Sequence, residues 1–165
     1  MNKFRPLEDI QSVLPILSEI AIWGGVSEEQ RDKIFKRLET GVFKKGEYVF
    51  QKGDEPSYIY IVRNGKIGLL IGQGEVNLEK TILTAGACFG VASLMAMQRH
   101  TSTAVALEES EVMALSRQSL LKLRHDDVEL FVLLMMNIAR ELARRLKLTD
   151  DILLQYMCEH RDASQ

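Results

Sequence analysis

Apolar residues at Leu7, Ile10, Val13, Leu14, Leu17 and Ile20 recur at helical spacing. Pro15 falls inside this run and predicts two short helical pieces rather than one long helix. Gly24-Gly25 ends the region, and Ser27-Glu28-Glu29-Gln30 then has the spacing of a capping box. In that motif the serine hydroxyl accepts from a backbone N–H in the first turn while the glutamine side chain reaches back. The helix it opens carries Ile34, Phe35 and Leu38 on one side and charge on the other.

The period becomes strand-like from about residue 41. Val42-Phe43 and Tyr48-Val49-Phe50 flank the turn Lys44-Lys45-Gly46-Glu47, and Gln51-Lys52-Gly53-Asp54 makes another turn. Tyr58-Ile59-Tyr60-Ile61-Val62 is rich in β-branched and aromatic residues, which suit a strand. Asn64-Gly65 predicts a type I′ hairpin leading into the strand that begins at Ile67. Gly72-Gln73-Gly74 marks a further turn, after which Val76, Leu78, Lys80 and Ile82 share one face. Beyond an interruption at residues 84–101, Ala104–Leu107 and Val112–Leu115 form two closing strands. Short strands at close spacing with glycine turns define a sandwich or barrel.

The last third is helical. A short helix starts at Ser116 or Arg117 and runs through Leu123, and a much longer one follows Asp126 or Asp127, either of which can cap it. Val128, Val132, Met135, Ala139, Leu142, Leu146, Thr149, Leu153 and Tyr156 follow a four-three spacing, with Thr149 the polar exception. Such a seam packs either against a second copy, giving a homodimer, or against the β-structure.

Composition narrows the functional classes. The 165 residues are 46% hydrophobic and 27% charged, as in an ordinary globular protein, and suffice for a core without disulfides. A formal charge of −2 gives no general attraction to nucleic acid or anionic membrane. No apolar run is long enough to span a bilayer, and Met1-Asn2-Lys3-Phe4-Arg5-Pro6 lacks the apolar centre of a signal peptide, so cytoplasm is expected. Cys88 and Cys158 read as two reduced thiols. His100, His125 and His160 are too few and too scattered for a metal centre inside a barrel. A haem site would have to use His100 or Cys88 as ligand, and no resident cofactor is expected. No nucleophile–base pair stands at an interpretable spacing, so the chain is not expected to be an enzyme.

The segments Phe43–Asp54 and Tyr58–Ile67, with Gly86-Ala87-Cys88-Phe89-Gly90 and the upstream Ile20–Ser27, resemble the cyclic-nucleotide-binding domain family. Ala143-Arg144-Arg145-Leu146-Lys147-Leu148-Thr149 is similar to the dimer helix of the catabolite activator protein-like regulators in that family. The resemblance implies an α+β fold: an antiparallel β-roll (double-stranded β-helix or jelly roll) at residues 40–116, with a phosphate cassette at 86–103. An N-terminal helical segment at 1–39 and a short helix plus a dimerisation helix at 117–165 flank it. Those regulators continue into a helix-turn-helix domain. Nine residues follow Tyr156, so no direct DNA binding is expected.

The resemblance also implies a site. The cassette of the family holds a cyclic phosphate on backbone N–H groups at a helix start. A glutamate after Phe-Gly accepts from the ribose hydroxyl, and an arginine further on pairs with the phosphate. Here Gly90 matches, but Val91 stands at the glutamate position and His100 at the arginine position, with Arg99 one residue early. Two such charge-assisted bonds at about 1.5–3 kcal/mol each correspond to about two to four decades of affinity. A protonated His100 could replace the arginine, which predicts tighter binding below about pH 6.5. The candidate ligand residues are Gly90, Val91, Ala92, Ser93, Arg99, His100, Thr101, Ser102 and Thr149. Thr149 matches a threonine that reaches the adenine base in the regulators, or is simply a polar residue in the seam; the adjoining serine position is Asp150. Two functions follow: a stand-alone sensor for a cyclic nucleotide, cyclic AMP ahead of cyclic GMP, or a ligand-free dimeric scaffold for another protein.

Overall fold

The computed structural model describes residues 3–73 and 76–162. Its nine strands are β1 (Arg5–Pro6), β2 (Leu38–Phe43), β3 (Tyr48–Phe50), β4 (Tyr58–Asn64), β5 (Ile67–Gln73), β6 (Val76–Leu83), β7 (Cys88–Phe89), β8 (Thr103–Ala106) and β9 (Ser110–Ser116). The helices are α1 (Glu28–Phe35), α2 (Val91–Ala96), α3 (Arg117–Asp126) and α4 (Val128–Asp162), with 3-10 turns at Leu14–Glu19 and Ala21–Trp23. A five-stranded sheet in the order β1-β2-β9-β4-β7 faces a four-stranded sheet in the order β3-β8-β5-β6. Every described strand pair is antiparallel. This is the α+β roll with flanking helices and a long C-terminal helix that the resemblance implies.

Strands β4 and β9 explain why the segment 58–62 is apolar without alternation. Tyr60, Val62, Val112 and Ala114 join the cluster inside the roll, whereas Ile59, Ile61, Met113 and Leu115 join the cluster shared with the helices. Successive side chains point to opposite faces, and both faces of this sheet centre are covered. The helical layer over it brings Ile34, Phe35, Leu120, Leu123, Leu130 and Leu134 to the same cluster.

Several local readings change in three dimensions. The two N-terminal pieces are 3-10 turns that begin at Leu14, with Pro15 in the first turn, so Leu7 and Ile10 precede them. Arg5–Pro6 instead adds an edge strand opposite Thr40 and Glu39, a place where proline's missing N–H is harmless. Leu38 opens β2 rather than extending α1, and it is buried in the same cluster. The Asn64-Gly65 hairpin is not formed. β4 pairs with β7 and β9 while β5 pairs with β6 and β8, so Asn64-Gly65 passes the chain from one sheet to the other. Of the two residues only Gly65 has positive φ (86°). Glycine is required there because a Cβ would press on Ser110 and lie 2.7 Å from the Glu109 carbonyl oxygen. Gly74 of the expected turn at Gly72-Gln73-Gly74, and the side chains of Val76, Leu78 and Lys80, lie outside the described residues.

The helix caps are as expected. Gln30 N–H donates to Ser27 Oγ (3.2 Å) and Ser27 N–H to Gln30 Oε1 (3.1 Å), closing the capping box. Ser116 caps α3 by accepting from Ser119 N–H (3.0 Å), and Asp127 caps α4 by accepting from Leu130 N–H (2.9 Å). Helix α4 lies on the roll through Leu130, Leu134 and Ile138, a stripe different from the four-three seam. Asn137 beside them donates to the carbonyls of Ile22 (3.2 Å) and Gly24 (2.8 Å). Of the seam residues, Val128, Val132, Leu146, Leu153 and Tyr156 are each more than half exposed, while Met135 and Leu142 are partly covered by the helical cluster. No described helix is long and apolar enough to cross a membrane.

Candidate functional site

The cassette is built from strand β4 outward. Tyr60 and Ile61 pair with Phe89 and Cys88, which places β7 on the edge of the larger sheet. Gly90 leaves that edge with φ 73°, and a Cβ there would sit 2.8 Å from Tyr60 Cδ2 and 3.2 Å from the Tyr58 carbonyl oxygen. Only glycine accepts both the left-handed conformation and that approach. It starts the single turn and a half of α2, which buries Val91 and Leu94 in the helical cluster. The chain returns through Met97, the only non-glycine residue with positive φ among the described residues, to the segment 98–102.

That segment is clamped to the turn after β3. Gly53 N–H donates to the His100 carbonyl (2.8 Å), His100 N–H donates to the Asp54 carbonyl (3.0 Å), and Lys52 N–H donates to Thr103 Oγ1 (3.0 Å). The imidazole of His100 is 3% exposed and lies flat on the Phe50 ring, with centroids 3.7 Å apart and planes 9° from parallel. Its Nε2 is buried and has no hydrogen-bond partner among the described residues. Burial pushes the His100 pKa below the ordinary imidazole value, against a smaller upward pull from Asp54.

Between the cassette and α4 is a cleft of about 280 Å³. Gly90, Val91, Ala92, Ser93, His100, Thr101 and Ser102 line one side, and Leu142, Arg145, Leu146 and Thr149 line the other, with Phe50, Leu69 and Phe89 at the base. The fold thus brings eight of the nine candidate ligand residues together. Arg99 is the exception. Its guanidinium donates to the Gly53 carbonyl (2.7 Å) and pairs with Glu55 at 2.5 Å, and the residue does not line the cleft. The one-residue adjustment that would bring its charge to a ligand is opposed by those two contacts.

The cation at the cleft is instead Arg145, which is not among the nine candidate residues. Its Nη2 donates to the Cys88 carbonyl (2.7 Å) and its Nε to Glu141 Oε1 (2.7 Å). A signal for it exists, since Arg145 is four residues before Thr149 and so shares its helix face. Thr149 Oγ1 in turn donates to the Arg145 carbonyl (2.9 Å). Val91 contributes no acceptor, since its side chain is a hydrocarbon, and at 1% exposure it belongs to the helical cluster that also holds Leu94 and Cys88. Cys88 is inert toward chemistry at neutral pH, since burial raises its thiol pKa to about 12.

Two antiparallel sheets with a glycine-opened cassette facing a long helix define a β-roll with a cleft between cassette and helix. The family model described as "Cyclic nucleotide-binding domain" matches residues 40–127, more than half of the chain. The chain belongs to the cyclic nucleotide-binding domain family. It is 30% identical over 132 residues to the cyclic AMP receptor protein of Thermus thermophilus, an alignment covering 78% of this chain and 58% of that protein. It is 28% identical over 123 residues to the human cyclic nucleotide-gated channel alpha-2, covering 64% of this chain and 18% of the channel. The chain therefore spans less than two thirds of the length of these relatives. Among solved structures, the Thermus thermophilus catabolite activator protein superposes with a TM-score of 0.73 at 29% identity, covering 81% of this chain and 61% of that one. A cyclic nucleotide-binding domain from Methylobacillus flagellatus gives a TM-score of 0.77 at 19% identity, covering 87% and 82%, and shares the fold.

Proposed function

We propose that the chain is a cyclic-nucleotide-binding regulatory module, in which a ligand held by the cassette acts on helix α4. One observation carries this reading: the cleft is walled by the cassette on one side and by Leu142, Arg145, Leu146 and Thr149 of α4 on the other. Anything filling it touches both. A ligand shifts a helix only through different affinities for its positions, and a helix that forms half of the binding wall meets that condition. Cyclic AMP is the first candidate, since the Thermus thermophilus relative is a cyclic AMP receptor protein. Ser93, Thr101 and Ser102 offer neutral donors to its phosphate, Arg145 offers the charge, and the Phe50 and Phe89 rings at the base suit a flat base or a sugar edge. The exposed seam of α4 then pairs with a second copy, so that the ligand reads out through a homodimer.

Calorimetric titration with cyclic AMP and cyclic GMP tests the reading, with heat and a thermal shift expected for cyclic AMP. Absence of both at millimolar concentrations of either nucleotide overturns it. In that case a second reading stands, a ligand-free dimeric scaffold that docks another protein. The observation favouring it is that the cleft is lined at this position by the apolar Val91, which has no acceptor for a ribose hydroxyl.

A further inference from the structure

We propose that His100 joins Arg145 in reading the anionic oxygen of a ligand in this cleft, and that the cleft takes up its anion together with a proton. The inference rests on the cyclic-nucleotide reading and deepens it. Three features converge. The ring is stacked on Phe50, and the backbone that carries it is held on both sides, with His100 N–H donating to the Asp54 carbonyl and the His100 carbonyl accepting from Gly53 N–H. Its Nε2 is buried without a partner among the described residues, a rare condition for a polar atom, and in a residue that lines the cleft a ligand oxygen would relieve it. The neighbouring Arg99, which carries a permanent charge, is committed to Glu55 and the Gly53 carbonyl outside the cleft.

The charges around the imidazole set the direction of the coupling. From the turn after β3 come Asp54, whose carboxylate accepts from Gln51 N–H (2.7 Å), and Glu55, which is paired with Arg99. From α4 comes Arg145, already matched by Glu141 at 2.7 Å. The lining residues from β5 and α2 are the uncharged Leu69, Val91, Ala92 and Ser93. An entering anion thus meets a guanidinium that is shared with Glu141, and the negative charge that the anion still carries stabilises the imidazolium. Burial keeps the ring neutral near pH 7 without ligand, so binding raises its pKa and draws in a proton. Affinity is then greatest below the ligand-free pKa and falls as pH rises toward the ligand-bound one.

The test is calorimetry of the full chain with cyclic AMP at about pH 5.5, about 6.5 and about 7.5, bracketing the ordinary imidazole value. At the middle pH two buffers of different ionisation enthalpy are compared. Binding about tenfold or more tighter at the lowest pH than at the highest, with a buffer-dependent heat that reports proton uptake, is expected. His100→Arg should bind equally well across the range, and His100→Phe, which keeps the stack, should bind weakly and without pH dependence. Binding by the unaltered chain with constant affinity and equal heats in both buffers overturns the proposal while leaving the cyclic-nucleotide reading intact. Failure of both the unaltered chain and His100→Arg to bind at any of these pH values overturns the reading itself, and the proposal with it. The proton inventory needs no variant, so it decides the matter even where a substitution at this buried position prevents folding.

Discussion

Arg145 and Cys88 are 57 residues apart in sequence, yet a guanidinium nitrogen of the first donates to the carbonyl oxygen of the second at 2.7 Å. Cys88 pairs with Ile61 in β7 and lies two residues before Gly90, so this one bond ties the middle of α4 to the root of the cassette. On the proposed function, a ligand oxygen that recruited Arg145 would compete with that carbonyl and with Glu141 and so would act on the helix.

Replacing Arg145 by glutamine keeps the side chain's length roughly and removes its charge. Affinity for cyclic AMP is expected to fall by about one to two decades, the worth of a charge-assisted bond. Titration of the variant beside the unaltered chain measures it, and an unchanged dissociation constant refutes a ligand role for Arg145.

Gly90 and Gly46 separate backbone strain from crowding. Both have positive φ, 73° and 85°, but a Cβ at Gly46 meets nothing within 4 Å whereas one at Gly90 meets the Tyr60 ring at 2.8 Å. Gly46→Ala should cost about 1–2 kcal/mol for the left-handed conformation alone. Gly90→Ala adds a packing conflict of about 1–3 kcal/mol and displaces the cassette, so ligand affinity falls with stability. Urea denaturation of the two variants gives the comparison; equal losses would show that β4 does not press on the cassette.

The turn glycines, the change from helical to strand period and the helix caps are legible in sequence because each is a local matter. The capping box at Ser27–Gln30 and the cap at Asp127 need only neighbours within four residues. The Asn64-Gly65 hairpin misleads for the complementary reason: the glycine is demanded locally, but whether β4 and β5 share a sheet depends on β8 and β9 far along the chain. The site divides in the same way. Gly90 to Ser93 and His100 to Ser102 are two short stretches of one segment and could be named together. Phe50 and Arg145 reach the cleft from a distant strand and a distant helix, and Arg99 is diverted by Glu55, 44 residues away. None of those three placements is written in the spacing around the cassette.

Asp127 joins two elements and gives the fold an acid limit. Its carboxylate accepts from Leu130 N–H at the start of α4 and from Lys33 of α1 (both 2.9 Å), and these contacts, the backbone bond first, hold its pKa below the ordinary value. A depressed folded-state pKa contributes stability above the unfolded-state value, and that contribution is lost as pH falls through the folded-state one. Urea midpoints should therefore decline from about pH 5 downward, through and below the ordinary carboxylate value, and decline less steeply in Asp127→Asn. Parallel slopes for the two proteins would remove Asp127 from the acid response.

The two stripes of α4 make opposite predictions for substitution. Leu134 is 1% exposed against the helical cluster, so Leu134→Ala should cost about 2–5 kcal/mol of chain stability whatever the oligomeric state. Leu153 is 55% exposed on the four-three seam, and Leu153→Lys should leave the fold of the single chain within about 0.5 kcal/mol. What it should remove is association, because a lysine facing its own copy across a two-fold axis places like charges in an apolar contact. Sedimentation velocity at micromolar concentration is expected to show a dimer for the unaltered chain and a monomer for Leu153→Lys. A monomer in both cases would mean that the seam has some other partner, and the coupling of ligand to a second subunit would fall with it.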